Sequence, residues 1–302
     1  MQGDDKADQR RLQEVLELDQ AARSHAAAGE YGQALDLYAQ CLTIVREIEH
    51  QQGEATILHG MAHAHACLGD TDLAMDMYRK SLEFRRALGD KQGQAAALHE
   101  IATLHANRDD FDPALELYEQ SLALEREVAD RQGEAATLHH MARVHAHRDD
   151  LDGAMKLYGE SLRIERELGD HALEAGTLNQ MGIISYSRGH KGDAASFWEE
   201  SRLVTRQTGA RASLPPTLSW LAPLYAEEGR WADALDAARE YAALVPDLQH
   251  PDATRGLSVT LSEIWFSAVD AGREDVADEV KSLIEQVRRH LPKNLLEVFE
   301  TA

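Results

Sequence analysis

The chain has 302 residues, with 31 Lys and Arg against 53 Asp and Glu, giving a formal net charge of -22 at neutral pH. That surplus of acid disfavours duplex nucleic acid and anionic bilayers as partners, since neither gains from approaching a like charge. Two cysteines, Cys41 and Cys67, are too few for a disulfide framework and lie in different repeats, which points to free thiols in a reducing compartment.

Residues 1–8 (MQGDDKAD) show no apolar pattern and are expected to be a disordered start. The polar first twenty residues hold no secretory signal, and no apolar run reaches the roughly 18 residues of a membrane span, so a cytoplasmic protein is expected. From residue 9 to 248 the chain repeats itself in a forty-residue register. The clearest pair is Gly89–Val128 and Ala129–Leu168, where LHEIATLHANRDDFDPALELYEQSL is followed by LHHMARVHAHRDDLDGAMKLYGESL. Looser copies begin near Gln9, Glu49, Gly169 and Gly209. A fixed period of this size is the mark of a solenoid of stacked units, each relying on its neighbour to bury an apolar face.

Each unit reads as two helices. In the third, Leu98, Ile101, Ala102 and His105 share one helical face, and Ala114, Leu117, Tyr118, Ser121 and Leu122 share another. Asn107–Asp110 separates them. Corresponding breaks contain Gly29, Gly69 and Gly229, which supply the left-handed residue that ends a helix, whereas Asp109 and Asp149 take that place in units three and four. Asp110 or Asp112 is placed to cap the second helix, and Pro113 suits its first turn. Across the units, Ala34, Ala74, Ala114, Ala154, Ala194 and Ala234 form a column that allows close helix approach. Leu18 through Leu218 recur at the same interval, as do Tyr38, Tyr78, Tyr118, Tyr158 and Trp198.

These columns, with the Gly-Asp-like turns, resemble the tetratricopeptide repeat over residues 9 to about 248. The forty-residue unit is similar to the long-repeat subclass of kinesin light chains and spindle-orientation adaptors. His25, His65, His105 and His145 stand where the family has a bulky aromatic, and read as satisfied, half-buried histidines that give the fold some acid sensitivity. The usual first-helix Gly is present only as Gly182, and the closing Pro only as Pro246. The resemblance implies an all-α fold, a right-handed α-solenoid of helix-turn-helix units.

Past Gly209 the repeat decays. Pro215 and Pro216 should delay the sixth unit's first helix. Residues 249–302 read as a degenerate seventh helix pair followed by a short capping helix, NLLEVFETA. Arg46, Arg86, Arg126, Arg166 and Arg206 lie near the ends of second helices, beside Glu47, Glu127 and Glu167, and read as dipole-compensating, salt-bridging residues.

The resemblance further implies that first helices line a concave groove. Its inner face would comprise Asp19, Arg23 and Ala27; His59, His63 and Cys67; His99, Thr103 and Asn107; His139, Arg143 and His147; then Asn179, Ile183 and Tyr186; then Ser219, Pro223 and Glu227. Acids are scarce in this set, so a groove with Arg23, Arg143 and several histidines should favour a carboxylate-bearing protein or peptide. The peptide-binding candidates are Arg23, His59, His63, His99, His139, Arg143, His147, Asn179 and Tyr186. A second reading takes His59, His63, Cys67 and His99 as ligands for Zn, Cu or Ni, or for a small ligand, although the i, i+8 separation of His59 and Cys67 is wide for one ion. Self-association through repeat ends or convex faces is a third. No phosphate loop, nucleophile elbow or HExxH is present, and HGMAH at residues 59–63 lacks the glutamate of a zinc hydrolase. The expectation is a non-enzymatic binding scaffold.

Overall fold

A computed structural model describes residues 2–248 and 250–301, and the side chains of all of these but 2–7 and 212. The described residues form an all-α solenoid of helix pairs. Contacts divide the chain into two compact units, Met1–Ala154 and Met155–Ala302. The first contains α1 (Gln2–Ala27), α2 (Tyr31–Glu47), α3 (Gln51–Leu68), α4 (Thr71–Ala87), α5 (Lys91–Ala106), α6 (Phe111–Glu127) and α7 (Arg131–His147), and α8 (Leu151–Leu168) starts within it. The second contains the rest of α8, then α9 (His171–Ser187), α10 (Lys191–Thr208), α11 (Leu214–Glu227), α12 (Trp231–Leu248), α13 (Pro251–Asp270), α14 (Glu274–His290) and α15 (Lys293–Glu300). No described helix is long and apolar enough to cross a membrane.

Helix α1 already includes residues 2–8, where the sequence suggested a disordered start. Once the amphipathic part of a helix is packed, extending it costs little, and no proline intervenes. The alanine column is fully buried in every unit, and the tyrosine column with Trp198 is buried beside it, so each second helix presses closely on its neighbours. A serine column adds a fixed polar link: Ser81, Ser121 and Ser201 donate to the carbonyls of Ala55, Ala95 and Ala175 at 2.7, 2.7 and 2.9 Å. Pro215 and Pro216 occupy the first turn of α11, which begins after a single 3-10 turn, Arg211–Ser213. In the last part of the chain, α15 packs on α13, burying Leu295 and Phe299.

Two details differ from expectation. Asp110 makes no side-chain cap on α6; its carboxylate lies 3.4 Å from His105 Nδ1 instead. Side-chain caps are found mainly on first helices, where Asp90, Asp130 and Asp170 accept from the backbone N–H of Gly93, Gly133 and Leu173. The arginine column also reaches forward to the next first helix. Arg46, Arg126 and Arg166 bind Glu54, Glu134 and Glu174 at 2.7, 2.8 and 2.9 Å, while the adjacent Glu47, Glu127 and Glu167 pair with Arg11, Lys91 and Arg163. A guanidinium late in a second helix is closer to the start of the next helix than to its own chain neighbour, whose side chain points elsewhere around the helix.

The turns between units require a left-handed residue. Gly89 and Gly169 provide one, but Ala129 is held there at φ 58°. Ala129→Gly should therefore raise stability by about 1 kcal/mol, read as an upward shift of the urea midpoint with unchanged slope. A lower midpoint would contradict the strain assigned to this turn.

Candidate functional site

Of the inner-row histidines, His59, His99 and His139 are partly buried, whereas His63 and His147 are exposed. His59 lies edge-on to Tyr78, with ring centroids 5.0 Å apart, and its buried Nδ1 has no hydrogen-bond partner. Burial, aided by the charges of Arg85, His63 and Arg23, pushes its pKa down to about 4. His99 Nδ1 is 2.8 Å from Thr137 Oγ1, and burial pushes its pKa down to about 4. His139 is likewise down to about 4, through burial and then Arg143. The expected positive groove is thus not supplied by these imidazoles, because removing them from water disfavours the charged form.

A ladder of His59, His99 and His139 is not what links the repeats. His99 meets His140, with ring centroids 5.0 Å apart and nearly perpendicular, and His140 in turn touches His139 and stacks at 6.0 Å on Tyr118. Burial, then the neighbouring His99, His139 and Arg143, pushes His140 down to about 3. His140 was absent from the inner-face set because it lies one residue beyond the recurring position. Its signal was nonetheless visible, since Gly60, Glu100, His140, Gln180 and Trp220 occupy one column with five different chemistries, and Glu100 and His140 separate two otherwise similar copies.

His140 lies at the edge of a cavity of about 260 Å³ formed by α5, α6 and α7. Around it stand Thr103, Asn107, Tyr118, Arg143 and His147, the last stacked on Phe111 with centroids 6.0 Å apart. Thr103 Oγ1 and Tyr118 OH hydrogen-bond at 2.8 Å, which fixes one wall. Arg143 is exposed and has no ion-pair or hydrogen-bond partner among the described residues. Arg23 differs, because Asp19 holds its guanidinium at 2.9 Å within the same helix. The set therefore offers one uncommitted guanidinium beside the aromatic rings of Phe111, Tyr118 and His140.

The proposed metal ligands do not assemble. His63 and Cys67 are exposed and meet at 3.9 Å, while His59 and His99 are turned toward Tyr78 and Tyr118, the tyrosines of their own repeats. No group of three or more His, Cys, Asp or Glu side chains among the described residues is arranged for a metal ion. Both thiols are free, with Cys41 buried and its pKa raised to about 11 mainly by burial. The His25, His65, His105 and His145 column is satisfied by carboxylates, namely Glu30, Asp70, Asp110 and Asp150 at 2.5, 3.1, 3.4 and 2.7 Å.

In the second unit Asn179 is buried, its backbone carbonyl accepting from Trp198 Nε1 at 3.1 Å. That burial takes its side chain out of the exposed binding set. Tyr186 remains partly accessible and donates to Glu227 at 3.0 Å. Its ring lies 5.9 Å from both Trp198 and Trp220, which stack on each other at 5.7 Å.

Comparison with known proteins agrees with this architecture. The tetratricopeptide repeat model matches residues 12–87, 53–127 and 93–167 in overlapping frames. No curated protein matches the chain by sequence. Among solved structures, TPR-like repeats of a kinesin light chain from Podosopora anserina give a TM-score of 0.54 at 17% identity, covering 65% of this chain and 96% of that one. A signal transduction ATPase with a tetratricopeptide repeat sensor from Pyrococcus horikoshii gives 0.75 at 14% identity, over 94% of this chain and 43% of that one. Aspartyl phosphate phosphatase F from Bacillus subtilis gives 0.67 at 13%, over 94% and 73% respectively. At these identities the likeness is one of fold. The family frames together span residues 12–167, just over half of the 302 residues, and the helix pairs they cover carry the alanine and tyrosine columns described above: the chain belongs to the tetratricopeptide repeat family.

Proposed function

We propose that the protein is a non-catalytic scaffold that binds a protein or peptide segment bearing a carboxylate on the first-helix face of its first unit. The observation that carries this is Arg143, an exposed guanidinium without a partner among the described residues, set in a cavity also lined by Asn107, Asp109, Phe111, Tyr118 and His147. An arginine fork can hold a carboxylate through two parallel hydrogen bonds, and the Asn107 amide is suited to a peptide backbone. The neutral ring of His140, with Tyr118 and Phe111, lends the cavity surface of low polarity, against which such a pair is worth more than in water. His59 and His63 extend the same row toward α3, and Arg23, already engaged by Asp19, is a weaker contributor. Many modest contacts over several helices would supply the affinity.

Affinity capture from the source cell, comparing the unmodified chain with Arg143→Ala, tests the assignment. Partner recovery should fall roughly tenfold, equivalent to about 1.4 kcal/mol, and return in part with Arg143→Lys. Arg163→Ala, on an exposed guanidinium of α8 paired to Glu167, should leave recovery unchanged. Equal capture by Arg143→Ala and the unmodified chain would remove this reading.

A further inference from the structure

The second unit contains a larger cavity, about 730 Å³, with chemistry opposite to that around Arg143. Its walls include Tyr186 from α9, Trp220 and Glu227 from α11, and Glu263 and Phe266 from α13. Two of its aromatic rings are unusually open for their size, with Trp220 39% and Phe266 60% exposed. Trp198 already covers one face of Trp220, so the exposure is of the remaining ring surface. An apolar surface left in a cavity of this volume is the ordinary setting of a ligand site.

The charges in the cavity are unequal in their commitments. Glu227 accepts from Tyr186 OH and from Lys191 Nζ, the latter at 2.7 Å. Asp252 and Arg255 are paired with each other at 3.3 Å. Glu263 has no ion-pair or hydrogen-bond partner among the described residues, and burial together with the charge of Glu227 raises its pKa. One carboxylate is therefore unbalanced, beside electron-rich ring faces. The helix adds another acceptor: Pro223 has no N–H to return to the Ser219 carbonyl, and both residues border the cavity.

We propose that this cavity binds a cationic peptide side chain, Lys or Arg flanked by apolar residues, with Glu263 as its counter-ion and Trp220, Tyr186 and Phe266 as its aromatic cage. A cation is attracted by the carboxylate and by the ring faces together, and a guanidinium or ammonium can also donate to the freed Ser219 carbonyl. A carboxylate-bearing segment would meet Glu263 and Glu227 with like charge and no nearby uncommitted cation. The inference rests on reading first-helix faces as ligand surfaces, but it assigns a second site and a second ligand class, independent of Arg143.

The test uses the full chain and three blocked pentapeptides, acetyl-Leu-Phe-X-Leu-Phe-amide, in which X is Arg, its uncharged isostere citrulline, or Glu. Calorimetric titration should detect binding of the Arg peptide at or below roughly 1 mM, with the citrulline peptide about tenfold weaker and the Glu peptide not bound. Glu263→Gln should cost the Arg peptide about tenfold in affinity and equalise it with citrulline, and Trp220→Leu should weaken both. Thermal melts of each variant establish that the fold is retained. The proposal is overturned if the Arg peptide fails to bind at that concentration, if citrulline or Glu peptides bind as tightly, or if Glu263→Gln has no effect. Arg143→Ala should leave these titrations unchanged. Loss of partner capture in Arg143→Ala alongside a failed Arg-peptide titration would leave the proposed function standing without this second site, and the converse pattern would leave only the second site.

Discussion

Lowering the pH from about 7.5 to about 5 should destabilise the protein by several kcal/mol, with the loss concentrated in the first unit. The sign follows from His59, His99, His139 and His140, all held below the ordinary imidazole value, at about 4, 4, 4 and 3, chiefly by burial. Their unfolded-state value is about 6.5, so between that pH and about 4 the unfolded chain binds protons that the folded chain does not. Stability is fully present above that window and falls through it, at up to about 1.4 kcal/mol per pH unit for each ring. Groups facing the rings act in both directions. Arg23, Arg85 and Arg143 reinforce the depression, whereas Glu100 and Glu125, whose pKa values burial raises, gain relative stability as the pH falls and offset part of the loss. Urea midpoints measured across this range should decline steeply, and His140→Gln, which installs the residue found at the equivalent position 180, should flatten the slope by about one proton. Hydrogen exchange near pH 5 should show opening in α3, α5 and α7 before α9 and α11. A flat midpoint between neutral pH and pH 5 would mean that the imidazoles are not kept neutral by burial.

The sequence draws attention to one histidine column, and burial depresses the pKa of another. The His25, His65, His105 and His145 column stands out because it replaces a packing aromatic, and each of those rings meets a carboxylate five residues later, immediately before the second helix. The desolvated rings, His59, His99 and His139, lie in the other column. Repetition made the alanine, leucine and tyrosine columns legible, because the same side chain every forty residues must meet the same neighbour. The left-handed Asp109 and Asp149 were legible for the same reason. What repetition hides is the residue that breaks it. His140 and Trp220 lie in one variable column, and their importance depends on what adjoining helices bring to them: His99 and Tyr118 in one case, Tyr186 and Trp198 in the other. Glu263 belongs to the decayed part of the chain, where no register remained to relate it to Tyr186 and Glu227.

Gly182 and Trp198 illustrate how one departure from the repeat requires another, and their exchange should reverse the usual effect of a helix glycine. The equivalent positions in the other units are Ala22, Ala62, Ala102, Ala142 and Ala222, and the equivalents of Trp198 in the first four units are tyrosines. A Cβ on Gly182 would lie 2.3 Å from Trp198 Nε1 and 2.6 Å from the adjacent ring carbon. The indole cannot swing aside cheaply, because it is fully buried, donates to the Asn179 carbonyl and stacks on Trp220. Replacing a glycine by alanine inside a helix ordinarily gains about 1 kcal/mol. Here overpacking should dominate, so Gly182→Ala should destabilise by about 1–3 kcal/mol. In a Trp198→Tyr background the clash is removed, and the same Gly182→Ala change should become neutral or stabilising, as at the alanine-bearing positions of the other units. The decisive quantity is the coupling energy of this double-mutant cycle, obtained from urea unfolding of the four chains. Additive effects, with Gly182→Ala equally costly beside tyrosine, would show that the glycine serves something other than room for the indole.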